Sequence, residues 1–185
     1  MKKTFALAFV TMFAIGGALA QQPQHQHQGC PHQHACRHAS EQAQQKPTAP
    51  RVNADGIELT LATAFPEAKS VKKIEKWTEV YNAEGKLIGY GLYSKPASDG
   101  IKGYNGETPV LIAFDKKEKI KGVYAMPNNE TPGYARRVAD AGFYNNWNGL
   151  TAKKALKKKV DTVSGATFTS SAVVKSVEAA LKTLL

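Results

Sequence analysis

Apolar and polar positions alternate along the C-terminal two thirds of the chain in a way that predicts two β-hairpins. Residues 80–81 and 86–93 are rich in aliphatic and aromatic side chains and flank the turn sequence Asn-Ala-Glu-Gly. Residues 110–114 and 120–126 flank a charged turn in the same manner. Short apolar runs separated by turn residues of these types are typical of paired antiparallel strands.

Helical spacing is present after these hairpins. Residues 135–141 and 151–159 are helix candidates, and the last apolar residues recur at intervals of three and four, which places them on one helix face. That face consists of Val173, Val177, Ala180, Leu181 and Leu184. Strands with interspersed helices and no regular β–α–β alternation predict an α+β fold, with a mostly antiparallel sheet and flanking helices.

The first 20 residues have the three parts of an export signal. Lys2 and Lys3 provide a basic start, residues 5–17 are apolar, and residues 18–20 (Ala-Leu-Ala) fit a cleavage site. The apolar run is shorter than the ~20 residues that a membrane-spanning helix needs. We therefore expect an exported protein, periplasmic or extracellular, that stays membrane-associated if the leader is not cleaved.

Residues 21–53 are expected to form a disordered linker before one folded domain at 54–185. The segment is rich in Gln and His and nearly free of aliphatic residues, so it cannot bury enough apolar area to offset chain entropy. All histidines and cysteines of the chain lie in it: His25, His27, Cys30, His32, His34, Cys36 and His38. Imidazole and thiolate suit a divalent transition metal such as zinc, copper or nickel. A solvated linker with one Cys30–Cys36 disulfide is the alternative.

The formal net charge is +10, and residues 153–159 carry five lysines. Export and the absence of aromatic residues among these lysines argue against a nucleic-acid partner. A run of this kind is typical of a solvated helix face. Its alternative is an electrostatic docking surface for an acidic partner or an anionic membrane.

Residues 161–167 (Asp-Thr-Val-Ser-Gly-Ala-Thr) directly precede the last predicted helix. A glycine-containing, hydroxyl-rich turn that opens a helix is a ready phosphate site, because free N–H groups and the helix dipole favour an anion. An ordinary helix with Ser170 or Ser171 as its N-cap would give the same pattern. The residue types alone leave both interpretations open.

The same residues resemble the flavinylation motif of the FMN-binding domain family. This family includes the G subunit of Rnf-type electron transport complexes and the C subunit of the sodium-pumping NADH:quinone oxidoreductase. Residues 129–134 (Asn-Glu-Thr-Pro-Gly-Tyr) resemble its Glu-Thr-Pro-Gly segment, and residues 103–106 resemble its Gly-Tyr-x-Gly turn. Tyr134 departs from the family pattern, where a Leu followed by a second Gly is frequent.

The resemblance implies that a flavin transferase joins the phosphate of FMN, taken from FAD, to Thr167 as a phosphoester. The implied cofactor-binding residues are Asp161, Ser164, Gly165, Ala166, Thr167, Thr169, Glu130, Thr131, Pro132, Gly133 and Tyr134. Glu130 and Thr131 are expected to hydrogen-bond the flavin, and the conformational freedom of Gly133 would let its backbone approach the ligand. The aromatic candidates for stacking on the ring are Tyr104, Tyr134, Phe143, Tyr144 and Trp147.

Two functions from different classes fit these motifs. The first is an exported electron-transfer flavoprotein with redox partner proteins at the membrane or outside the cell. It would be a carrier more than an enzyme in its own right, because the sequence shows no second, substrate-binding domain. Residues 54–185 also contain no histidine or cysteine, which excludes nucleophilic catalysis by Cys-His or Ser-His pairs there. The second is an exported metal-binding protein that acts through the His/Cys-rich segment.

Overall fold

A computed structural model describes residues 51–185 of the chain. The predicted export signal and all seven predicted metal ligands lie outside the described residues. No helix in the described part has the length and apolar character needed to cross a bilayer.

One antiparallel sheet of five strands forms the framework, with the strands in sequence order. The strands are β1 (Ser70–Lys73), β2 (Thr78–Tyr81), β3 (Leu87–Tyr93), β4 (Val110–Phe114) and β5 (Ile120–Ala125). The two predicted hairpins are the pairs β2–β3 and β4–β5. The α+β fold with an antiparallel sheet is therefore confirmed.

Four α-helices and one 3₁₀ helix accompany the sheet in the described residues. They are α1 (Leu59–Ala64), α2 (Pro132–Asp140), the 3₁₀ helix (Phe143–Trp147), α3 (Ala152–Lys157) and α4 (Thr167–Lys182). The helix predicted at 135–141 begins three residues earlier, because the fixed φ of Pro132 suits the first helical position. The 3₁₀ helix was not predicted.

The sheet separates two apolar clusters, and the central strand β4 contributes to both. All five of its residues are buried, and alternate side chains point to opposite faces. Leu111 and Ala113 belong to the cluster that contains Leu61 of α1. Ile112 belongs to the other, which contains the predicted inner face of α4. Each such side chain contributes about 1.5–3 kcal/mol when fully buried, so α4 is fixed against the sheet along its length.

Candidate functional site

The turn before α4 is held to the helix by a serine within it. Ser170 is fully buried. Its Oγ accepts the backbone N–H of Val163 at 3.0 Å and donates to the Ala166 carbonyl at 2.9 Å. The N-cap position belongs to Ala166, so an N-cap at Ser170 or Ser171 is wrong. The helix instead begins at Thr167, shortly after Gly165, whose φ of 72° lies in the left-handed region that glycine tolerates.

The N-terminus of α4 has no side-chain cap. Its first backbone hydrogen bond runs from the Ser170 N–H to the Ala166 carbonyl at 2.9 Å. The N–H groups of Thr167, Phe168 and Thr169 therefore have no acceptor within the helix. An uncapped N-terminus of a 16-residue helix presents these donors together with the positive end of the helix dipole.

A cavity of about 240 Å³ opens in front of this helix end. The residues lining it are Tyr104, Tyr134, Gly165, Ala166, Thr167, Phe168 and Thr169. Thr167 is exposed, whereas Thr169 is 2% exposed and its Oγ1 has no hydrogen-bond partner among the described residues. A buried hydroxyl without a partner is costly, so Thr169 marks a place where a ligand's polar group fits.

Aromatic side chains form the walls of this cavity. The rings of Tyr104 and Tyr134 meet edge to face with centroids 4.7 Å apart. Tyr104 is 62% exposed and Phe168 is 69% exposed, and both line the same cavity, so they form an exposed aromatic patch. These three aromatic side chains are the ones placed to cover a flat ligand.

The other aromatic candidates belong to the core and not to the cavity. Phe143 and Trp147 are 3% and 2% exposed, and their rings pack edge to face against each other. Tyr144 packs at the margin of the same cluster, where burial raises the pKa of its phenol. The structure therefore places these three candidates in or against the core cluster and not along the cavity.

Glu130 organises the turn at residues 103–106. Its carboxylate is 4% exposed. Oε2 accepts the backbone N–H of Tyr104 at 2.9 Å, and Oε1 accepts those of Asn105 at 3.1 Å and Thr131 at 2.8 Å. These bonds join the Gly-Tyr-x-Gly turn to the Glu-Thr-Pro-Gly segment. Both carboxylate oxygens are engaged by backbone donors, so Glu130 shapes the cavity wall from behind.

Gly103 makes this close joining possible. A Cβ at Gly103 would lie 2.0 Å from Glu130 Oε2 and 3.1 Å from the Cα of Thr169. The glycine therefore allows the turn, the carboxylate and the first turn of α4 to meet. Its role comes from close approach and not from an unusual φ, because its φ is outside the left-handed region.

The Thr131–Tyr134 segment begins α2, with Thr131 as the N-cap. Gly133 has an ordinary φ in the first helical turn, and a Cβ there would meet nothing within 4 Å. Gly133 therefore does not use a left-handed φ, and the close approach of its backbone to a ligand stays a prediction. The segment acts by placing Tyr134 on the cavity, in the first turn of α2.

Asp161 and Ser164 are exposed on the turn before α4 and do not line the cavity. Their side chains are accessible to another protein. Among residues 51–185 there is no group of His, Cys, Asp and Glu side chains suited to hold a metal ion.

Arg137 is a neighbour of the site that the sequence motifs did not indicate. Its Nη1 donates toward the Gly165 carbonyl oxygen at 3.5 Å. It lies three residues after Tyr134 on α2, so both project from one helix face. The spacing of three residues between Tyr134 and Arg137 was the sequence signal for this neighbour. It could be used only once α2 was known to begin at Pro132.

Comparison with known proteins agrees with this geometry. A sequence model of the FMN-binding domain matches residues 103–182, a range that includes every residue lining the cavity. The G subunit of the ion-translocating oxidoreductase complex of Haemophilus influenzae (strain PittEE) is 33% identical over 134 residues, which cover 65% of this chain and 61% of that protein.

A second relative comes from another organism. The G subunit of the proton-translocating ferredoxin:NAD(+) oxidoreductase complex of Clostridium ljungdahlii is 27% identical over 132 residues, covering 66% of this chain and 69% of that protein. The chain therefore spans only about 61% of the length of the first relative, the Haemophilus subunit. The chain is thus similar to the FMN-binding domain over residues 103–182 and resembles the G subunits of ion-translocating oxidoreductase complexes.

Proposed function

We propose that this chain is an exported electron-transfer flavoprotein that carries FMN joined to Thr167 through its phosphate. The observation that carries the proposal is the position of Thr167. It is the exposed first residue of an uncapped helix and lines a cavity with aromatic walls. A phosphate-tethered aromatic ligand uses all of these features together.

The helix N-terminus supplies the phosphate contacts in this proposal. The N–H groups of the first turn of α4 lack helical acceptors, and the dipole favours an anion. Gly165 leads into α4 with a left-handed φ. Because it is a glycine, it places no side chain over the N-terminus of the helix. The free N–H groups of this first turn would hold the phosphate of a phosphoester at Thr167.

The aromatic walls and the buried hydroxyl serve the remainder of the cofactor. FMN supplies transfer of one or two electrons when bound, while the protein supplies binding, orientation and electrostatics. Tyr104, Tyr134 and Phe168 offer apolar surface to the ring. The unpartnered Oγ1 of Thr169 offers one hydrogen bond to a polar group of the ligand.

The attachment needs a second protein. A threonine hydroxyl is a weak nucleophile at neutral pH, and residues 54–185 have no histidine or cysteine to activate it. A flavin transferase would join Thr167 Oγ1 to the flavin-side phosphorus of FAD. The pyrophosphate bond breaks, AMP leaves, and the hydroxyl proton is released. The exposed Asp161 and Ser164 are the side chains that such an enzyme would contact.

The setting follows from the leader and from the relatives. The signal-like first 20 residues support export, to the periplasm or beyond, with membrane association if the leader remains. The relatives are named as subunits of oxidoreductase complexes, which supports redox partner proteins at the membrane. We expect a carrier of electrons between such partners.

Mass spectrometry of the intact protein tests the proposal. The full-length chain is produced with and without a flavin transferase, and the flavin absorbance is measured after denaturation. We expect the mass of one added FMN, joined through its phosphate, only when the transferase is present. Thr167→Ala should abolish it. Thr63→Ala, which changes an exposed threonine of α1, is the control that should retain it. Denaturation-resistant flavin on Thr167→Ala would contradict the assignment.

A second function rests on a different observation. Every histidine and cysteine of the chain falls within His25 to His38, and such a segment can wrap a divalent metal without a preformed site. We propose that it binds zinc or copper when reduced, independently of the flavin. Calorimetric titration of the full mature chain against a chain starting at Arg51 tests this, and equal metal uptake by both would rule it out.

A further inference from the structure

The guanidinium of Arg137 packs directly on Gly165. A Cβ at Gly165 would lie 2.1 Å from Nη1 and 3.3 Å from Cζ of Arg137. The space that any other residue would fill at position 165 is thus occupied by a cation. At 3.5 Å, the contact of Nη1 with the Gly165 carbonyl is at the long limit of a hydrogen bond.

This cation has no carboxylate partner in the described part of the chain. The ion pairs among residues 51–185 are Lys69–Asp55, Lys95–Asp99 and Lys95–Glu107. Arg137 instead lies beside the turn that leads into α4, whose N-terminus is uncapped. A positive charge close to the positive end of a helix dipole is unfavourable by itself.

An anion bound between the Arg137 guanidinium and the N-terminus of α4 would interact favourably with both positive groups. Guanidinium groups bind phosphate through two parallel N–H bonds, which are stronger than neutral hydrogen bonds. We propose that Arg137 binds the phosphate of the flavin and gives the site its preference for a phosphorylated flavin. The proposal rests on the proposed function, because it assigns a residue of α2 to the phosphate end of the same cofactor.

The neighbouring Arg136 provides a matched control. It is equally a surface arginine of α2, but a step of one residue turns a side chain by about 100° around a helix. Within the described residues, Arg136 makes no hydrogen bond or ion pair with residues 161–169. Replacing Arg136 or Arg137 removes the same charge from the same helix, so only position distinguishes the two.

The test compares two ligands that differ by the phosphate alone. The full-length chain is produced without flavin transferase, and its binding of FMN and of riboflavin is followed by quenching of flavin fluorescence. We expect the wild-type chain to prefer FMN. Arg137→Gln should weaken FMN binding about tenfold, as the loss of a charge-assisted hydrogen bond implies. It should leave riboflavin binding unchanged, and Arg137→Lys should restore part of the preference.

Arg136→Gln should leave the binding of both ligands as in the wild type. Equal weakening of FMN and riboflavin in Arg137→Gln would indicate a structural role and overturn the proposal. So would an unchanged FMN affinity, an equal loss in Arg136→Gln, or a wild-type chain without preference for FMN.

Covalent loading is measured separately by coexpression with a transferase. A wild-type chain that takes up no covalent flavin would contradict the proposed function, while the titration still decides the role of Arg137.

Discussion

The carboxylate of Glu130 accepts a hydrogen bond from the backbone N–H of Tyr104 at 2.9 Å, although 26 residues separate the two along the chain. The same carboxylate accepts the N–H of Thr131, the N-cap of α2. One buried group thereby fixes the turn that carries Tyr104 and the start of the helix that carries Tyr134. Glu130 thus sets the distance between the two tyrosine walls of the cavity.

Replacing Glu130 with glutamine should destabilise the protein. A glutamine has one acceptor oxygen, and its NH₂ group would face a backbone donor. We expect the free energy of unfolding, measured by urea denaturation, to fall by about 1.5–3 kcal/mol, the range for hydrogen bonds to a charged group.

Glu84→Gln is the control for that substitution, because Glu84 is exposed in the turn before β3. Its stability should stay within about 0.5 kcal/mol of the wild type. A Glu130→Gln variant as stable as Glu84→Gln would show that the carboxylate does not hold the turn.

Two glycines of the site should respond to alanine in opposite directions. Gly103→Ala places a methyl group 2.0 Å from Glu130 Oε2, so the turn must move and stability should drop by more than about 2 kcal/mol. Gly133→Ala adds a methyl group in open space on α2 and should stabilise by about 0.5–1 kcal/mol. Thermal denaturation of both variants without flavin measures the difference. Similar melting temperatures would contradict the packing at Gly103.

Thr169→Val separates a ligand contact from a structural hydroxyl. The Oγ1 of Thr169 has no partner in the described protein, so the flavin-free variant should be as stable as the wild type or about 1 kcal/mol more stable. If the hydroxyl bonds the flavin, the loaded variant should show a shifted visible absorbance band.

Ser176→Ala is the matched control for Thr169→Val. Ser176 is also buried in α4 with a hydroxyl that has no partner among residues 51–185, but it does not line the cavity. The flavin-free Ser176→Ala variant should also be as stable as the wild type or slightly more stable. The visible spectrum of its bound flavin should stay unchanged. A flavin-free Thr169→Val variant that lost more than about 1 kcal/mol would indicate that the hydroxyl has a protein partner.

Local patterns in the sequence were sufficient for four of the five strands and for α4. The hairpins follow from apolar runs on either side of turn residues, and the buried face of α4 follows from its spacing. Both features depend on residues close together in the chain. The glycine-containing turn before α4 was predicted for the same reason, since Gly165 and Thr167 directly precede the helix pattern.

Contacts between distant segments could not be predicted in the same way. Glu130 was expected to face the flavin, but its partners Tyr104 and Asn105 come from a turn more than twenty residues earlier. Phe143 and Trp147 were candidates for stacking because no pattern revealed a five-residue 3₁₀ helix turned toward the sheet. Arg137 reaches Gly165 only because α2 packs against α4.

The most direct test of the central claim is peptide mass spectrometry of the full-length protein coexpressed with a flavin transferase. After proteolysis, fragmentation of the peptide that spans residues 160–175 locates the added group. We predict one FMN, joined through its phosphate, on Thr167 and none on Ser164, Thr169 or Ser170. Flavin on any other residue, or an unmodified peptide from a protein that retains its flavin after denaturation, would contradict it.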